Sequence, residues 1–293
     1  MKHALITGSS TGIGLATAIH LARANYHIFA GVRSPKNAGQ LQAAIDSGLP
    51  IQMVQLDVTD DASVTNAMDE ISRTAAHIDV LVNNAGIGGG GPLELVPIEA
   101  AKQMFETNYF GAIRMIRAVL PQMRERQSGA IVNITSLAGR LASGGSGHYS
   151  ASKFALEAAS EILAVETRPY GIRVAIIEPG VVATPIFSKG QPPNLDGNPY
   201  ATPLRRMMKF FEAQLSQPTQ PEAVAAVVQE ALESDSPKLR QTVGKDAELL
   251  LKMRQQINDE DWIGSGLLSD DELFERTTEM TGVNLYAKSA NAG

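Results

Sequence analysis

Tyr149 and Lys153 lie four positions apart near the start of a stretch, Tyr149–Thr167, whose pattern predicts a helix. At that spacing both side chains leave one face of the helix and reach the same space. A tyrosine near its ordinary pKa of about 10 is a poor acid or base at neutrality, but an adjacent ammonium would stabilise the phenolate and bring that value toward operating pH. The chemistry such a pair could do is proton transfer to or from an oxygen.

A second group sits at the other end of the chain. Thr7-Gly8-Ser9-Ser10-Thr11-Gly12-Ile13-Gly14 joins an apolar run to a helical one. A turn there would offer backbone N–H groups and a helix N-terminus to a pyrophosphate. The spacing Gly-x-x-x-Gly-x-Gly differs from the Gly-x-Gly-x-x-Gly dinucleotide fingerprint, yet meets the same demands of a tight turn and close backbone approach. Units that bind NAD carry an acidic residue about 20 positions further on, at the end of the second strand, for the ribose hydroxyls. Here that strand ends Phe29-Ala30-Gly31-Val32-Arg33-Ser34, with no carboxylate, and Lys36 follows. The Arg33 guanidinium suits a phosphate, so the expected cofactor is NADP(H).

These residues need elements to hold them. Apolar runs at Ala4–Thr7, Ile28–Val32, Gln52–Leu56, Val80–Asn83, Ala130–Thr135 and Val174–Ile177 alternate with helical patterns at Gly14–Ala24, Ala38–Asp46, Ala62–Thr74, Ile98–Met123 and Tyr149–Thr167. Buried strands separated by crossovers predict an α/β fold, a doubly wound parallel sheet with helices on both faces. Leu239–Val243 would add a seventh strand after a helix over Pro221–Glu233. Prolines, glycines and asparagines between Pro185 and Pro203 mark a long loop. The tail past Ile257 reads as polar and acidic, with Ser269-Asp270-Asp271-Glu272 as the capped start of one short helix. The expected organisation is a single domain: a cofactor-binding and catalytic core over 1–184, a substrate loop or lid over 185–220, and a C-terminal extension over 221–293.

Bulk composition narrows the classes. Of 293 residues, 44% are hydrophobic and 19% charged, which disfavours disorder, and no apolar run is long enough to cross a bilayer. The net charge of −6 argues against a broad nucleic-acid surface. The absence of cysteine excludes disulfides, thiolate metal sites and cysteine nucleophiles. The N-terminal run is too short for a signal sequence, so a cytoplasmic protein is expected. No metal site is expected.

Further motifs fall at the ends of successive strands: Asp57-Val58, Asn83-Asn84-Ala85-Gly86, Ser136, and Pro179-Gly180 followed by Thr184. With the glycine loop and Tyr149-Ser150-Ala151-Ser152-Lys153, their order and spacing from Lys2 to about Thr184 resemble the short-chain dehydrogenase/reductase family, a Rossmann-type fold. The run Ala151-Ser152-Lys153-Phe154-Ala155-Leu156-Glu157, with Arg33 and the long extension, leans toward the 17β-hydroxysteroid and retinol dehydrogenase branch. The resemblance implies that Gly8, Ser10, Thr11, Gly12, Ile13 and Gly14 line the pyrophosphate and ribose. Asp57 and Val58 would meet the adenine, Asn84, Ala85 and Gly86 would flank the cofactor, and Val182 and Thr184 would hold the carboxamide. Tyr149 would exchange the proton as hydride moves between nicotinamide and a carbonyl or alcohol, and Lys153 would also bind the ribose hydroxyls. Ser136 would hold the substrate oxygen, with Thr135, Ser143 and Ser146 as competitors. Asn108 would support, through its backbone, a water that relays protons to the lysine.

Substrate choice in such proteins lies after the sixth strand. Ile186, Phe187, Met207, Met208, Phe210 and Phe211 there suggest a lid with an apolar underside, and His148 is a further candidate for substrate contact. The partner is then a small carbonyl or alcohol, and the long helices Ile98–Met123 and Tyr149–Thr167 match those through which relatives form homo-oligomers, dimers among them. The rival class is a non-catalytic NADP(H)-binding sensor or scaffold, which could dispense with Tyr149, Lys153 and Ser136.

Overall fold

A computed structural model describes residues 1–187, 193–236 and 238–287. Seven parallel strands form one sheet: β1 (Lys2–Thr7), β2 (Tyr26–Val32), β3 (Ile51–Gln55), β4 (Val80–Asn83), β5 (Gly129–Ile134), β6 (Ile172–Pro179) and β7 (Arg240–Val243), in the order β3-β2-β1-β4-β5-β6-β7. The chain winds outward from β1 in one direction and then, from β4, in the other. The switch point between β1 and β4 opens a crevice at their carboxyl ends, which is where such sheets bind ligands.

Strands covered on both faces must be apolar on both, and Leu5 and Ile6, neighbours in β1, are fully buried on opposite sides. On one side α1 (Gly12–Arg23), α2 (Gly39–Asp46) and α8 (Pro221–Glu233) bury Leu21, Leu41, Val224 and Val228 against the sheet. On the other, α3 (Asp61–Ser72), α5 (Gly111–Arg126) and α6 (Gly147–Thr167) contribute Ile71, Met115, Val119 and Leu163.

The expected long helix Ile98–Met123 is interrupted. α4 (Ile98–Phe105) passes into a π-helical turn, Glu106–Phe110, before α5 resumes. Asn108 lies in that turn, and such wider turns recur at functional sites.

The acidic tail is not a solvated appendage. After α9 (Lys245–Arg254), it folds into α10 (Asp259–Gly264) and α11 (Asp270–Thr281), the latter opened by a capping box between Ser269 and Glu272. Leu137, Leu141, Leu250, Met253 and Leu285 form a third apolar cluster with Trp262 and Met280 packed on it, beyond the carboxyl ends of the strands. The Pro185–Pro203 loop begins as a short turn, Pro185–Phe187, and leads into α7 (Ala201–Gln214), with residues 188–192 outside the described residues. Among the described residues no helix is long and apolar enough to cross a membrane.

Candidate active site

The glycine loop is shaped by close approach. Gly8 and Gly12 take φ of +69° and +59°, in the left-handed region that glycine favours. A Cβ on Gly14 would sit 2.3 Å from the Gly8 carbonyl oxygen and 2.4 Å from Asn84 Nδ2, so α1 can begin against the turn only with glycine there. The ends of β1 and β4 are stitched together: Thr7 Oγ1 accepts from the N–H groups of Asn84 (3.0 Å) and Ala85 (2.9 Å). Asn84 Nδ2 in turn donates to the carbonyls of Thr7 and Gly8. No side chain caps the first turn of α1 and no acidic residue sits in it, leaving its N–H groups and dipole to an anion.

One cavity of about 1430 Å³ runs from this loop to the C-terminal helices. Gly8, Ser10, Thr11, Gly12, Ile13, Arg33, Asp57, Val58, Asn84, Ala85 and Gly86 line one end, as do Val182 and Thr184. Gly14 and Asn108 are not among its lining residues. Beside the exposed Arg33, the neighbours that reach the cavity are Ser34 and Asn37 rather than Lys36. Asp57 turns one carboxylate oxygen back on the N–H and hydroxyl of Thr59. This set fits a phosphorylated dinucleotide: a glycine cradle with free helix N–H groups, no carboxylate at the end of β2, and a guanidinium in its place.

At the middle of the cavity α6 presents Tyr149 and Lys153 one turn apart, with Lys153 Nζ 5.9 Å from the Tyr149 ring centre. Lys153 is buried, donates to the Ile134 carbonyl at 3.0 Å, and has its pKa lowered to about 8 by burial, against the opposing pull of Glu157. The phenol does not follow the sequence expectation. Burial pushes the Tyr149 pKa up, and the neighbour that pulls it down is the Ser136 hydroxyl rather than the lysine. Lys153 Nζ donates to the Ile134 carbonyl rather than to the phenol oxygen.

Ser136 separates itself from its competitors. Thr135 Oγ1 donates to Glu157 (2.6 Å) and approaches the Ile177 carbonyl, while Ser146 bonds the Ser143 carbonyl and Ser150. Ser136 caps the short turn after β5 and is the hydroxyl near enough to Tyr149 to lower its pKa, and both line the cavity. Asn108 is buried, and its side chain clamps both backbone groups of Ile87 and donates to Ser152 Oγ at 3.0 Å. A Cβ on Gly86 would meet both Asn108 Oδ1 (3.3 Å) and Lys153 Nζ (3.8 Å), so these side chains converge on one point of the loop after β4. His148 is not among the cavity residues, and its Nε2 is buried without a partner among the described residues.

Two carboxylates escaped the sequence reading. Asp246, in the first turn of α9, accepts from the Val181 N–H at 2.8 Å and crowds Gly180 so closely that a Cβ there would lie 2.2 Å from its oxygen. It fixes the segment that carries Val182 and Thr184. Glu157, one turn past Lys153, is buried between Thr135 and Arg240 (2.9 Å), and burial raises its pKa against those two contacts.

The short chain dehydrogenase family model matches residues 2–194, about two thirds of the chain. This chain belongs to the short-chain dehydrogenase family. Like other members, this short-chain dehydrogenase is an oxidoreductase built to act on small molecules. It is 35% identical over 249 residues, 84% of this chain and 89% of the other, to a 3-ketodihydrosphingosine reductase of Bacteroides thetaiotaomicron. It is 36% identical over 267 residues, 85% and 80% of the two chains, to human 17-beta-hydroxysteroid dehydrogenase type 1, in line with the branch toward which its motifs lean. A solved short-chain dehydrogenase from Streptomyces avermitilis superposes with a TM-score of 0.78 at 34% identity, covering 92% of this chain and 99% of its own. Solved structures of the same fold hold NADP, 5-hydroxy-NADP or NAD.

Proposed function

We propose that this short-chain dehydrogenase uses NADP(H) to interconvert a ketone or aldehyde and an alcohol, with Tyr149 exchanging the proton. The observation that carries the reading is the meeting of Tyr149, Lys153 and Ser136 in the cavity that the glycine loop and Arg33 also line. Bound NADPH would supply the hydride. The Tyr149 hydroxyl would give its proton to the carbonyl oxygen as negative charge develops there, and Ser136 would donate a second hydrogen bond to that oxygen. In the oxidative direction Tyr149 would take the alcohol proton back. Burial keeps the phenol protonated, which suits the acid role, and Lys153 would stabilise the phenolate left behind once it leaves the Ile134 carbonyl. α7, α9, α10 and α11 would close over the substrate, whose body faces Met207, Phe211, Met253 and Trp262 and is therefore apolar. Phe154, Ile162 and Val165, exposed on α6, support a homo-oligomer built on that helix.

Steady-state turnover of apolar ketones with NADPH tests the mechanism. Tyr149→Phe is expected to lose at least about a hundredfold in kcat while NADPH affinity stays nearly intact. Unchanged turnover would remove Tyr149 from the reaction.

A further inference from the structure

The cavity is larger than the roughly 300–1,000 Å³ of a pocket for one small ligand, and its far end is built by the C-terminal helices. α11 turns Leu273, Arg276, Thr277 and Met280 toward it, at positions i, i+3, i+4 and i+7, so the stripe that should be apolar carries a cation at its centre.

Among the described residues four cations line the cavity, and three are engaged or have a stated use. Arg33 stands where the cofactor phosphate is proposed, and Lys153 is held at Ile134. Arg206 is spent on Asp270 and on the carbonyls of Ser265 and Leu268, fastening α7 to the start of α11. Arg276 is half-buried and makes no hydrogen bond or ion pair among the described residues. Asp261 also borders the cavity, but it is exposed at the rim and does not come within ion-pair distance of Arg276. A guanidinium offers five donors in a planar fork, and Arg276 presents them into the apolar end of the cavity that Leu273, Met280 and Trp262 also line, where an acidic ligand would meet them.

We propose that the substrate is an apolar ketone or alcohol bearing an oxoanion, a carboxylate or phosphate, at the end remote from its reacting carbon, and that Arg276 receives that group. The inference rests on the carbonyl–alcohol reading above, and its test does not use turnover. Trp262 is the chain's one tryptophan and lines the same end of the cavity, so its fluorescence reports occupancy directly. The full chain, saturated with NADP+, is titrated with dodecanoate, dodecyl phosphate and methyl dodecanoate, which share a body and differ in charge.

At least one anion is expected to bind about tenfold more tightly than the ester, as a charge-assisted fork predicts. Arg276→Gln should bring that ratio near one, and Arg276→Lys should keep part of it, with thermal melts confirming that both variants fold. Equal affinities in the wild type, a ratio unchanged in Arg276→Gln, or no response from Trp262 to any of the three would overturn the proposal. None of these outcomes depends on Tyr149, whose role fails or stands on the turnover of the Tyr149→Phe variant.

Discussion

Arg240→Met tests whether the site stands on a buried charge network. Arg240, on β7, reaches Glu157 at 2.9 Å, Glu161 at 2.6 Å and Glu178 at 3.5 Å. Methionine keeps much of the arginine's apolar bulk and removes the charge. Glu178 would keep Arg140 at 2.9 Å and Thr242 at 3.0 Å, and Glu161 is exposed, so the cost falls on Glu157, whose remaining partner would be Thr135. Stranding one member of a buried pair costs about 3–5 kcal/mol, and because Arg240 is itself partly solvated the lower end, about 3 kcal/mol, applies. For a domain of this size that is a fall in Tm of about 5 °C. The pH dependence follows from the sign of the shift. Burial already raises the Glu157 pKa, and loss of Arg240, which pulls it down, raises it further. Between the unfolded and folded pKa values the folded variant then holds more protons than the unfolded chain, so its stability rises as pH falls. Thermal melts of both proteins from pH 8 to 5.5 should therefore show a deficit that narrows toward acid, and Glu157→Gln in the same chain should recover much of it. A deficit below about 1 kcal/mol, or one that ignores pH, would mean that Glu157 is solvated and that the network supports nothing.

Two further outcomes follow from the site. With Lys153 at about 8, kcat/KM for carbonyl reduction should hold level below that pH and fall above it as the ammonium loses its proton; Glu157→Gln, which removes the anion that raises Lys153, should move the fall to lower pH. Arg33→Ala should raise the KM for NADPH about tenfold or more while leaving that for NADH close to its starting value, and an unchanged ratio of the two would refute the phosphate role.

What could be read from the sequence, and what could not, divides along one physical line. The strands and their parallel, doubly wound arrangement were legible because burial on both faces requires unbroken apolar runs, as in Ala4-Leu5-Ile6, separated by helical crossovers. The glycine loop was legible because Gly8 and Gly14 answer constraints of backbone sterics, and Tyr149 with Lys153 because a helix sets their relation over four residues. The π-helical turn at Asn108 was hidden, since a helix of either period accepts the same residues over five positions. α11 was legible from its capping box at Ser269 and Glu272, whereas α10, six residues with three acidic ones in its first turn, was disguised by that composition. Glu157 reads locally as one more solvated helix carboxylate; its burial depends on Arg240, 83 positions later, just as the role of Asp246 depends on Val181, 65 positions earlier. A buried charge is defined by its partner, and in a parallel sheet the partner arrives from another crossover. The residues that do chemistry were therefore visible in local pattern, while those that hold them at their set distances could be found only once the sheet had brought β6, β7, α6 and α9 together.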